Sequence, residues 1–306
     1  MYYNIIMNND KKNYKTIAYF IDKWGISDRS IRNYCANGRI EGAFLDGKTW
    51  YIPINAKKPE RSNKSSTNKN YLLDRLLKEK KSLTSGGIYH KVQIELTYNS
   101  NHIEGSKLTH DETKYIYETK TIGTSKSKNI DDIVETVNHF KCFDLVLENV
   151  NHKLTENFIK KLHWTLKNGT TDSRLSWFNV GDYKTLPNEV SGKETTEPKK
   201  VKNEIKKILD TYNAKNKIVL DDLLDFHYKF EMIHPFQDGN GRVGRLILFK
   251  ECLKNNIVPF IITDELKYYY YRGLDKWKKQ KGYLTDTCLT AQDEFKKVMD
   301  YFCIRY

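Results

Sequence analysis

Between Leu72 and Lys254, apolar residues recur at three- and four-residue intervals, the period of helices that bury one face. That spacing predicts helices over Leu72–Lys81, Gly87–Glu104, Asn129–Glu148, Thr155–Leu166, Val201–Asn213, Leu220–His234 and Arg242–Lys254. The stretch Val180–Glu197 breaks the period. With Gly181, Pro187, Gly192 and several Thr and Val residues, it is expected to form an extended hairpin or flap. A C-terminal helical extension is expected to complete a mainly α domain.

The first sixty residues follow another plan. Ile17, Phe20, Ile21 and Trp24 lie at helical spacing over Thr16–Trp24, and Gly25 stops the run. Ser27 is placed to cap a second helix, Asp28–Asn37, with Ile31, Tyr34 and Cys35 facing inward and Arg29, Arg32 and Asn33 outward. Two short runs, Ile40–Leu45 and Thr49–Ile52, flank Asp46-Gly47, a favoured hairpin dipeptide. The expectation is a helix-turn-helix with a wing. After Pro59 the chain to Asn70 has no apolar residue and reads as a solvated linker. The expected division is therefore a small domain over 1–59, a linker over 60–70 and a helical domain over 71–306.

Charge changes this picture less than its size suggests. The net charge is +13, but only ten of the 52 basic residues are arginine, and a chain-wide excess of lysine accounts for most of it. Where the arginines sit is more informative: three fall at 29, 32 and 39, and two at 242 and 245. The five cysteines are scattered without a CxxC pair, so neither a disulfide framework nor a zinc site is indicated and a reducing cytoplasm is expected. No apolar stretch approaches membrane-spanning length, so no membrane partner is expected.

The chemistry concentrates after the helix that ends at His234, which Pro235 stops. Asp238-Gly-Asn-Gly241 then forms a glycine-rich turn leading into a helix. Glycines let a backbone approach a ligand closely, and the free amides of a helix start favour phosphate. Arg242 and Arg245, three apart, can grip successive phosphates. Asp238 offers the single carboxylate that Mg²⁺ accepts when phosphates and waters complete its shell, and His234 can act as a general base. Each part has a bland structural explanation; the order of all of them within twelve residues does not.

The run HPFQDGNGRVGR, His234 to Arg245, resembles the Fic family signature HxFx(D/E)GNGRxxR, with no departure at a defining position. The resemblance extends from about Tyr98 to Ile262. It implies the helical Fic fold and transfer of AMP from ATP to a Ser, Thr or Tyr hydroxyl of a protein target, with Mg²⁺. It further implies that His234 is the base, Asp238 the metal ligand, Gly239, Asn240 and Gly241 the phosphate cradle, Arg242 and Arg245 the polyphosphate grip, and Phe236 the loop's anchor. Other nucleotide or phosphocholine donors remain open.

Upstream, Ser100-Asn-His-Ile-Glu-Gly105 places Ser100 and Glu104 on one helix face. The segment resembles the family's inhibitory motif (S/T)xxxE(G/N), which implies that Glu104 pairs with Arg245 and displaces the γ-phosphate. Removal of AMP is the alternative use of that glutamate. The flap is expected to pair with an incoming target strand, and Lys184 stands in it where the resemblance leads one to expect Arg. Residues 15–59 resemble the winged helix-turn-helix domains of the excisionase and MerR-like kind, which implies DNA contact through Arg29, Arg32 and Asn33. Small winged modules also bind proteins, and a DNA-binding transcriptional regulator or antitoxin-like protein whose helical domain only senses or scaffolds is the competing reading.

Overall fold

The computed structural model describes residues 13–36, 38–59, 69–123, 127–190 and 192–306. The first twelve residues and most of the expected linker lie outside them. The described residues before Lys69 form one compact unit with Tyr269–Cys288; Lys69–Tyr268 and Leu289–Tyr306 form the other. The grouping of Tyr269–Cys288 with the front of the chain had no signal in the local pattern, because it depends on contacts far apart in sequence.

In the first unit, helices α1 (Ile17–Trp24) and α2 (Asp28–Ala36) accompany strands β1 (Tyr14–Thr16), β2 (Phe44–Asp46) and β3 (Thr49–Pro53), ordered β1-β3-β2 and all antiparallel. Gly25 ends α1 in the left-handed region, where the lack of a β-carbon removes the strain. Ser27 Oγ accepts the Ser30 amide at 3.3 Å, the expected cap. Asp46 pairs with Thr49, so the hairpin turns on Gly47 and Lys48, one residue later than the dipeptide suggested, and the first strand is shorter than Ile40–Leu45. Strand β1 was not foreseen; three residues are too few to show a period. The core is Ile17, Phe20, Ile26, Ile31, Cys35, Ile40 and Ile52.

The second unit is helical: α3 (Tyr71–Ser82), α4 (Ile88–Ile103), α5 (His110–Thr119), α6 (Ile130–Glu148), α7 (Glu156–Lys167), α8 (Pro198–Asn213), α9 (Leu220–Ile233) and α10 (Asn240–Lys254). Helices α11 (Asp264–Lys276) and α12 (Gly282–Tyr301) make up the extension, which is divided between the two units at Tyr268 and Cys288. Helix α5 escaped the spacing analysis because only Thr113 and Ile116 are buried on it, yet Thr109 and Glu112 form a capping box at its start. The strongest constraint is α10, in which every residue from Arg242 to Leu253 is buried. An all-round buried helix has no polar face, so it must lie at the centre of its unit. The charged members of α10 are accordingly paired: Lys250 with Glu251 at 2.7 Å, and Glu251 in turn with Tyr212 Oη at 2.8 Å.

Candidate active site

The loop between α9 and α10 is tied at both ends. His234 takes a left-handed conformation at the end of α9, φ 49° and ψ 64°. Phe236 is fully buried and stacks on His163, with ring centroids 3.9 Å apart. Asn240 closes the turn: its Oδ1 accepts the Phe236 amide at 2.8 Å and its Nδ2 donates to the Phe236 carbonyl at 2.8 Å. Gly239 sits at φ +81°, a conformation L side chains rarely adopt. Helix α10 therefore begins at Asn240, two residues before the expected start, and its first amides line the turn.

His234 Nδ1 lies 3.3 Å from the Glu231 carbonyl, which can only accept, so this nitrogen carries the proton and Nε2 is left as the basic atom. Burial pushes the imidazole down to about 4. At neutral pH it is an uncharged base, not the partly protonated group that its ordinary value would make it.

Asp238 keeps a partly exposed side chain, but its Oδ2 accepts from Lys167 Nζ at 2.7 Å and from Arg242 Nη2 at 3.0 Å. Those two cations also share Glu135, and Lys167 reaches Asp172 at 3.3 Å. Arg242 and Lys167 hold the Asp238 carboxyl far below the usual carboxylate range against the opposing effect of burial. Among the described residues no cluster of three or more His, Cys, Asp and Glu can hold a metal ion. One ionised carboxylate beside an anion-binding turn suits a divalent cation that draws its other ligands from phosphates and water. Glu135 and Lys167 were not foreseen; both sit on helices read only for their apolar stripe, and their meeting depends on how α6 packs on α7.

Arg245, one turn further along α10, has other partners. Its Nη2 donates to Glu104 Oε1 at 2.7 Å and to the Ser100 carbonyl at 2.9 Å, and its Nε donates to Ser100 Oγ at 3.0 Å. The two arginines thus serve separate clusters. A β-carbon built on Gly241 would fall 2.3 Å from Glu104 Oε1, so this carboxylate lies directly over the glycine turn.

The flap carries only a short hairpin, β4 (Glu189–Val190) with β5 (Lys193–Glu194). Its preceding segment is fastened to the loop by Lys184 N–H to the Pro235 carbonyl at 2.9 Å and Asn188 Nδ2 to the Phe236 carbonyl at 3.0 Å. In the first unit, Arg29, Arg32 and Asn33 are exposed on α2, and Arg32 Nε is bonded to Asp28 at 2.5 Å. Asp286 accepts the Ser27 amide at 2.9 Å and Ser30 Oγ at 2.6 Å, placing a second carboxylate at the start of α2.

The mainly helical scaffold, with a histidine ahead of a glycine-rich helix start, has the fold of solved Fic proteins. Residues 153–251, from the turn before α7 into α10, match the Fic/DOC family. A Fic-domain-containing signaling protein from Bacteroides thetaiotaomicron superposes with a TM-score of 0.57 at 26% identity, over 76% of this chain and 91% of that one. A portion of Fic-1 from Caenorhabditis elegans gives a TM-score of 0.60 at 17% identity over 93% of this chain and 73% of that one, a likeness of fold. The protein adenylyltransferase Fic of Nematostella vectensis is 26% identical over 184 residues, 58% of this chain and 42% of its own length. Protein adenylyltransferase fic-1 of C. elegans is 34% identical over 80 residues, 25% of this chain and 16% of its own. The chain therefore spans less than half the length of these curated relatives. Among the described residues no helix is long and apolar enough to cross a membrane.

Proposed function

We propose that this protein transfers AMP from ATP to a Ser, Thr or Tyr hydroxyl of a protein, itself included, and that Glu104 holds the reaction back. The observation that carries the reading is one short loop that holds His234, with Nδ1 on the Glu231 carbonyl and Nε2 left as its basic atom, just ahead of the glycine turn at the start of α10. His234 Nε2 takes the proton of the target hydroxyl while its oxygen bonds to the α-phosphorus; the bond to the bridging oxygen breaks and pyrophosphate leaves. The start of α10 receives the phosphates, and Mg²⁺ held by Asp238 would offset their charge. Lys167 and Arg242 keep Asp238 ionised for that purpose.

Arg245 would hold the terminal phosphate once released, and its present bond to Glu104 supports the inhibitory reading. With the carboxylate over Gly241, ATP meets both a blocked turn and an engaged arginine, so its α-phosphate is not presented in line with the hydroxyl. Names of relatives also support AMP transfer. Intact mass after incubation with ATP and Mg²⁺ tests the reaction class: a gain of one AMP on chain or target, lost in His234→Ala, is expected, and an unchanged mass for both wild type and Glu104→Gly would overturn it. DNA contact through α2 is a second reading, supported by the exposed Arg29 and opposed by the two carboxylates, Asp28 and Asp286, at the helix start.

A further inference from the structure

The buried lysines among the described residues are Lys167, Lys184 and Lys250. Lys167 and Lys250 are neutralised by carboxylates, Glu135 and Asp238 for the first and Glu251 for the second. Lys184 is hydrogen-bonded instead to three neutral oxygens: Asn188 Oδ1 at 2.6 Å, Thr195 Oγ1 at 2.5 Å and the Ile233 carbonyl at 3.4 Å. A buried ammonium without a carboxylate is costly, and burial pushes this one down to about 8.

The three acceptors explain what the charge holds together. Asn188 precedes β4 and Thr195 follows β5, so one ammonium joins both feet of the flap hairpin. Ile233 is the last residue of α9, immediately before His234. The Lys184 amide reaches Pro235 on the other side of that histidine, and Asn188 reaches Phe236. Lys184 thus brackets His234 from the flap with its backbone and its side chain.

We propose that Lys184 is a positioning residue that locks the flap to the His234 loop, setting both the edge offered to a target and the charge environment of the base. The charged groups that act on the imidazole are Lys184, Glu104 and Asp238. Lys184 opposes protonation and the two carboxylates favour it. The target-edge half of this inference rests on the transferase reading; the structural half does not.

The test uses Lys184→Met and Thr195→Val in the full chain, read by amide hydrogen exchange over 180–197, by NMR titration of His234 and by labelling with α-labelled ATP. Exchange in the flap is expected to rise about tenfold or more in both variants as local opening becomes easier. His234 is expected to titrate higher in Lys184→Met alone, because only that change removes a positive charge. Labelling should show a raised KM for the acceptor with ATP affinity held within about twofold. Unchanged exchange and unchanged titration in Lys184→Met would overturn the proposal. If that variant does not fold, Thr195→Val with wild-type flap exchange would do the same. Absence of labelling in wild type and in Glu104→Gly would sink the transferase reading, while exchange and titration still decide the role of Lys184.

Discussion

Glu104 Oε1 accepts a hydrogen bond from Arg245 Nη2 at 2.7 Å across 141 positions of sequence, with the arginine side chain 5% exposed. A charge-assisted bond of this kind contributes about 1.5–3 kcal/mol, which corresponds to roughly tenfold to hundredfold in occupancy of the engaged state. Glu104→Gly is therefore expected to raise labelling from α-labelled ATP by about tenfold or more, and Ser100→Ala, which removes one of the two Ser100 acceptors, by less. Equal labelling in Glu104→Gly and wild type would remove the brake from the mechanism.

The acid limb of the reaction reports on His234. An imidazole held at about 4 is already neutral at neutral pH. The labelling rate should stay level from about pH 7 down to about pH 5 and fall only below that, as the base is protonated. A midpoint near the ordinary histidine value, about 6.5, would show that His234 is not desolvated as described.

Stability should weaken over a similar range for a separate reason. His139, His163 and His227 are buried, and burial pushes each down to about 3. The unfolded chain binds their protons at about 6.5, so between about pH 6.5 and about pH 3 it holds more protons than the folded one, and acid favours unfolding. Each contributes up to about 1.4 kcal/mol per pH unit in that window. Thermal melting across it should show a steady fall; a flat curve would mean that these rings are reached by water.

Gly239→Ala places a side chain in a left-handed backbone beside Leu166 and His163. A loss of about 1–2 kcal/mol in stability is expected from the backbone alone, together with weakened ATP binding, both measurable by thermal shift with and without nucleotide. Undiminished nucleotide stabilisation would argue that the turn is not the phosphate site.

The second reading for α2 predicts duplex binding that weakens with salt, with a slope of about 0.9 per phosphate contacted, and is weakened further by Arg29→Ala. Fluorescence anisotropy over a salt series checks this. No binding, or binding indifferent to salt, would point to a protein partner for the first unit.

The local pattern determined a great deal by itself. Helical spacing located most helices of the second unit, Gly25 and Ser27 punctuated α1 and α2, and twelve consecutive residues carried the candidate catalytic loop, because loop chemistry is contiguous in sequence. Three-dimensional packing decided the rest. Only the folding of α4 against α10 brings Glu104 over Gly241 and gives Arg245 a different partner from Arg242, and only the packing of α6 and α7 assembles Glu135, Lys167 and Asp238 into one charge cluster. Lys184 was visible merely as a lysine in a flap; its significance lies in a burial that leaves it three neutral acceptors. Periodicity records which face of a helix turns away from water. It carries no information about which charged group a distant helix will bring to that face, and that pairing puts Lys167 on Asp238 and Glu104 on Arg245.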